Sequence, residues 1–188
     1  MKYQSLVPIL SAIALSLGAT LTINQFSYAQ ERTFTCGTAK DRTTGKQVPA
    51  TLVSTPRGNI PMILWVNNFP SGTSQQRCQE ISTRFQQFAD NHLLKYLRPG
   101  TINNQPVLCV ATYKGGVCPD KNVLITLPPG TNANLILEQL LDLRRHAARK
   151  PLQLSGGNVF YVDRELYVDM EAFFKIITEN DSSYDGKN

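Results

Sequence analysis

Apolar and polar positions alternate in short runs through most of this chain, and only a few stretches switch to helical spacing. Thr33-Phe34-Thr35-Cys36 alternates and is rich in β-branched residues, which predicts a first strand. Residues 50–55 and 60–66 predict a second and a third, separated by the turn sequence Pro56-Arg57-Gly58-Asn59. The short turn predicts an antiparallel hairpin. Trp65 lies in the third run and reads as core.

Thr73 or Ser74 then caps a predicted helix running to about Leu97. Its apolar face would be Cys78, Ile81, Phe85, Phe88, His92 and Tyr96, and Pro99-Gly100 would end it. Asn103-Asn104-Gln105-Pro106 reads as loop, with strands over residues 107–113 and 123–127. A second helix is expected over residues 133–149, capped by Thr131 or Asn132 and stopped by Pro151. Leu135, Ile136, Leu140 and Leu143 would face inward. Residues 159–162 and 166–168 predict a small hairpin around Asp163-Arg164, and Met170, Phe173, Phe174 and Ile177 mark a short last helix. Strands come in groups rather than in strict alternation with helices. The pattern therefore predicts a single α+β domain with a mostly antiparallel sheet, two main helices and a short C-terminal one. The tail over residues 180–188 is polar and expected to be disordered.

The N-terminus changes the picture of where this domain works. Met1-Lys2 precedes an uncharged apolar stretch over residues 6–21, and Ser27-Tyr28-Ala29 puts small residues at −3 and −1. This predicts a signal peptide over residues 1–29 and a mature domain over 30–179. The apolar stretch is shorter than the ~20 residues a spanning helix needs. No later run is long enough, so no transmembrane helix is expected in the mature chain.

The four cysteines, Cys36, Cys78, Cys109 and Cys118, all follow the leader. In an oxidising compartment they predict two disulfides, with three possible pairings. Cys109–Cys118 is favoured because the two bracket a short segment containing Gly115-Gly116, which leaves Cys36–Cys78. A turn centred near Tyr113-Lys114 would set the pair face to face, whereas one centred on the two glycines would put them out of register. Loop entropy gives roughly 3 kcal/mol for the short bridge and roughly 4 kcal/mol for the long one. No Cys-x-x-Cys occurs and neither His lies beside a cysteine, so no metal site is expected.

Chemistry is sparse. No Gly-x-Ser-x-Gly elbow is present, and disulfides would leave no free thiol for catalysis. His92 reads as a boundary residue and His146 as a cation at a helix end. Asp163, Glu165 and Asp169 are the carboxylates a hydrolase would have to use, but they read first as turn and cap residues, Asp169 capping the last helix. No catalytic residue and no cofactor are predicted. Taking Lys2 with the leader lowers the net charge from +5 to +4, and no dense basic stripe suggests nucleic acid. Arg144, Arg145, Arg149 and Lys150 crowd the end of the second helix and form a candidate basic docking patch. Its partner would be an acidic surface: membrane lipid, polysaccharide or protein.

Several local patterns together resemble a known family. They are Phe34-Thr35-Cys36, Pro49-Ala50-Thr51, Ile63-Leu64-Trp65, Arg77-Cys78 with Ile81-Ser82 and Arg84-Phe85, Leu108-Cys109-Val110, Cys118, Leu124-Ile125-Thr126-Leu127 and Leu166-Tyr167-Val168-Asp169. From about Phe34 to Phe174 the chain resembles the cyanobacterial circadian oscillating protein family. The resemblance implies an exported protein of rhythmically controlled abundance, peripheral to a membrane. It carries over no reaction and no catalytic residue. The expectation is a non-catalytic protein that acts in binding or structure at the cell envelope, in the periplasm or in the thylakoid lumen. The rivals are a small secreted hydrolase using carboxylates and a secreted inhibitor or chaperone-like partner.

Overall fold

The computed structural model describes residues 32–56, 58–68, 72–148 and 159–182, with the backbone alone for 141–148 and 178–182. The predicted leader, Arg149, Lys150 and residues 183–188 of the predicted tail lie outside them. Three strands, β1 (Phe34–Lys40), β2 (Gln47–Thr55) and β3 (Gly58–Leu64), form an antiparallel sheet in sequence order. Helix α1 (Ser74–Asp90) lies against β1 and β2. A second antiparallel sheet joins β4 (Tyr96–Ile102), β5 (Gln105–Ala111), β6 (Val123–Thr126), β7 (Val159–Val162) and β8 (Glu165–Asp169) in the order β6-β5-β4-β8-β7. Helix α2 (Ala133–Ala148) packs on β3, β4 and β5, and α3 (Met170–Ser182) on β8 and α2. The α+β class, the antiparallel pairing and both disulfides, Cys36–Cys78 and Cys109–Cys118, stand as expected.

Helix α1 starts where its sequence says. Thr73 Oγ1 accepts from the Gln76 N–H at 3.2 Å, and Gln76 Oε1 accepts from the Thr73 N–H at 2.9 Å, a complete capping box. Cys78, Ile81 and Phe85 are fully buried on one stripe. The end departs from expectation, because α1 stops at Asp90, seven residues early. His92 adopts φ 56°, its N–H donates to the Ala89 carbonyl, and the Leu93 N–H donates to the Phe88 carbonyl. This is a Schellman cap with histidine where glycine usually stands. His92 is therefore exposed beyond the helix rather than on its apolar face.

Residues 96–102 are a strand, not the helix end predicted. Leu97 is buried toward the core, while Tyr96, Arg98 and Gly100 face the other side. Pro99 is tolerated because the pairing of β4 with β8 covers only Tyr96 and Leu97. Asn103 and Asn104, at φ 48° and 62°, make the two-residue turn into β5. Asp163 and Arg164, at φ 50° and 68°, make the equivalent turn between β7 and β8.

Helix α2 packs the expected Ile136 and Leu140 against the core but turns Leu135 outward, and the side chain of Leu143 lies outside the described ones. Ala133 and Leu137 face the core, and Leu135 is 49% exposed. At 100° per residue Leu135 stands roughly 200° round the axis from Ala133. Asn132 caps the helix, its Oδ1 accepting from the Leu135 N–H at 3.2 Å. Asp169 caps α3 as predicted, accepting from the Ala172 N–H at 3.0 Å.

Two arginines of α1 close one edge of the larger sheet. Arg77 Nη2 donates to the Thr126 carbonyl at 2.8 Å and Arg84 Nη1 to the Leu124 carbonyl at 3.3 Å. Both acceptors belong to edge strand β6, so side chains occupy groups that could otherwise pair with another chain.

Candidate functional site

The face of the second sheet that points away from the core carries a densely hydrogen-bonded arginine. Register places Arg98 of β4 beside Cys109 of β5, and Tyr167 of β8 beside Phe160 of β7. Arg98 lies against the Tyr167 ring, 5.0 Å from its centroid. The row Cys109, Arg98, Tyr167, Phe160 thus crosses four neighbouring strands. Tyr167 and Phe160 stack at 5.7 Å, and Tyr96 meets Phe160 edge-on at 5.7 Å.

The segment of residues 112–118 is fastened over this row. Its turn is closed by the Gly116 N–H donating to the Tyr113 carbonyl at 3.0 Å, with Gly115 at φ 78°. The turn centres on Lys114-Gly115, between the two positions considered from sequence. Cys118 lies in no strand, and Cys109 pairs with Val123 of β6. The disulfide therefore ties a loop to a strand and does not cross a hairpin. Gly100 lies beneath it, where an added Cβ would come 2.7 Å from Cys118 Sγ.

Arg98 holds the same loop from below. It is 7% exposed, and every arm of its guanidinium is used. Nη1 donates to the Gly116 carbonyl and to the Tyr167 hydroxyl, both at 2.8 Å, and Nε to the Pro99 carbonyl at 3.0 Å. Nη2 pairs with Glu165. The Tyr167 hydroxyl donates to the same Gly116 carbonyl at 3.1 Å. Lys114 Nζ sits 4.4 Å from the Phe160 ring centroid. What the loop shows to water is Tyr113, 61% exposed, Val117, 68% exposed, and the outer side of Lys114.

The carboxylates named from sequence have structural places. Glu165 pairs with Arg98, Asp169 caps α3, and Asp163 sits in the β7–β8 turn. Glu165 and Asp169 are four residues apart on one strand, about 13 Å at 3.3 Å per residue, wider than glycosidase pairs. Arg144 and Arg145 fall in the last turns of α2, where the structure describes backbone only, as does His146. Arg149 and Lys150 lie outside the described residues. An apolar cavity of about 20 Å³ lies among Met62, Phe85, Leu97, Leu137, Val168 and Phe173, room for little more than one water. Among the described residues no His, Cys, Asp and Glu cluster could hold a metal, and no helix is long and apolar enough to cross a membrane.

Arg98, Tyr167, Gly116 and Lys114 are not legible as a site in the sequence, because the helical spacing of α1 runs on through Tyr96. The signal was present: Tyr96-Leu97-Arg98 alternates, and Asn103-Asn104 is a favoured hairpin turn.

Two antiparallel sheets, three helices, two disulfides and one clamped loop define a cross-linked α+β domain, and the closed disulfides point to an oxidising environment. Residues 33–175 match the family described as Circadian oscillating protein COP23, and the chain belongs to that family. No curated protein and no solved structure matches the chain.

Proposed function

We propose that this protein is an exported, non-catalytic binding protein that works at a cyanobacterial cell envelope or in the thylakoid lumen, at the periphery of a membrane. The loop of residues 112–118 is its contact element. The observation that supports this reading is the double fastening of that loop by a disulfide and by buried Arg98, while Tyr113, Lys114 and Val117 stand in water. A loop held in one conformation spends little entropy on binding, and an exposed tyrosine supplies rigid contact area. The structural duties of Glu165 and Asp169 favour this reading over a hydrolase. The cations of the second helix end, Arg144, Arg145, Arg149 and Lys150, would add attraction to an anionic surface, ~1 kcal/mol each near anionic lipid.

Retention of the protein on native membranes, eluted first with salt and then with detergent, tests both elements. The variant Tyr113→Ser/Val117→Ser is expected to lose retention while keeping its circular dichroism. A four-fold Arg/Lys→Gln variant at the helix end is expected to lose only the salt-sensitive part. Retention of the loop variant equal to wild type would remove the loop from the reading.

A further inference from the structure

The two disulfides do different work. Cys36–Cys78 joins β1 to α1 across 42 residues, with Cys78 fully buried in the apolar core and Cys36 packed against it. Cys109–Cys118 spans nine residues on the opposite face of the second sheet, outside that core, and ties down only the loop. Without it β5 keeps its ladders to β4 and β6. A short closed loop also restricts the unfolded chain less than a long one, so less stability depends on it.

We infer that Cys109–Cys118 is a redox latch, opened by a dithiol reductant while Cys36–Cys78 and the fold stay intact. As regulation of the contact loop this rests on the binding reading above, but the opening itself is measurable without a partner. Cys118 is half-buried and Cys109 fully buried, so an incoming thiolate attacks Cys118 Sγ; Cys36 is half-buried too, and what separates the bridges is that one holds the core and the other a loop. Attack there forms a mixed disulfide and expels the Cys109 sulfur as thiolate, which takes up a proton. Cys109 Sγ lies 3.7 Å from the Arg98 carbonyl, a ready acceptor for the new S–H. The reductant's second thiolate then attacks its own sulfur in the mixed disulfide and releases Cys118, which is protonated in turn. Two electrons and two protons pass to the protein, and the reductant leaves as a cyclic disulfide.

Opening moves the loop for a steric reason. Two unbonded sulfurs need roughly 1.5 Å or more of extra separation compared with a bonded pair. The sulfurs already lie close against the Gly100 backbone, where an added Cβ would stand 2.7 Å from Cys118 Sγ and 3.4 Å from Cys109 Sγ, so there is little room to move toward β4. Cys118 therefore swings outward and draws Gly116 off Arg98 and Tyr167, and the ordered contact surface is lost.

The test treats the full chain with graded dithiothreitol without denaturant, alkylates it and maps the modified cysteines by mass spectrometry. Far-ultraviolet circular dichroism and tryptic cleavage after Lys114 are followed in parallel. The expected product carries label on Cys109 and Cys118 only, keeps its dichroism, and is cut after Lys114 at least tenfold faster. Joint labelling of all four cysteines with loss of dichroism, or earlier opening of Cys36–Cys78, overturns the latch. A Cys109→Ser/Cys118→Ser variant should fold and show the same fast cleavage; an unfolded variant, or one cut as slowly as wild type, also overturns it. Selective opening with unchanged membrane retention would leave the latch standing and remove the loop's contact role.

Discussion

Arg98 and Gly116, eighteen residues apart, are joined by a buried 2.8 Å hydrogen bond that fixes the disulfide loop to the sheet beneath it. The bond matters because the same guanidinium also serves Tyr167, Pro99 and Glu165. A single side chain thereby couples β4, β8 and the loop.

Replacing Arg98 with Met keeps much of the volume and removes all of these donors. The Pro99 carbonyl then loses a partner, and Gly116 keeps only the Tyr167 hydroxyl. The expected loss is about 2–3 kcal/mol, read from the urea midpoint, with faster tryptic cleavage after Lys114. Glu165, half in water, contributes little to that loss. Arg98→Lys should rescue poorly, since an ammonium cannot reproduce the planar fork.

Thr51 is the acceptor for two buried donors. Trp65 Nε1 and the Ser82 hydroxyl both reach its Oγ1 at 3.1 Å, linking β2 to the residue after β3 and to α1. Thr51→Val preserves shape and strands both donors. A cost of about 2 kcal/mol in thermal or urea unfolding is expected, and a change under 0.5 kcal/mol would show that the two donors find other acceptors.

Left-handed residues other than glycine offer the opposite test. His92 at φ 56° occupies the position where a Schellman cap prefers glycine, and Arg164 at φ 68° is the second residue of a tight hairpin turn. His92→Gly and Arg164→Gly should each stabilise by about 1 kcal/mol, measurable as a rise of a few degrees in Tm. Val at either site should lower Tm.

Acid should weaken the β1–β2 turn. The Thr44 hydroxyl, at 2.6 Å, and the Thr43 N–H, at 3.0 Å, hold the Asp41 carboxyl below its usual range. Because the folded value is depressed, this contribution is complete above the unfolded value, near pH 4, and disappears as pH falls through the folded one. Urea midpoints between pH 5 and pH 2 should fall further for wild type than for Asp41→Asn. Parallel curves would discard the role of Asp41.

Glycine, proline and cap residues made much of this fold readable. The cap at Thr73 or Ser74, Asp169, the Asp163-Arg164 turn and the buried face of α3 are all local signals, decided by hydrogen bonds or spacings within a few residues. The end of α1 was not readable, because His92 took a conformation that glycine would have advertised. On α2 spacing marks Ile136 and Leu140 but not the choice of Leu137 over Leu135: several leucines fit one period, and only contact with β3, β4 and β5 chooses among them.

The linear chain determined its class, its first three strands and last hairpin, and its cysteine number, since each follows from composition or near-neighbour spacing. The clamp around Arg98 was beyond its reach. Gly116 and Tyr167 lie 18 and 69 residues from Arg98; sheet pairing brings Tyr167, and the disulfide-tied turn brings Gly116, within 3 Å of one guanidinium. Burial then makes those bonds costly to break, and that turns a flexible glycine segment into a fixed surface.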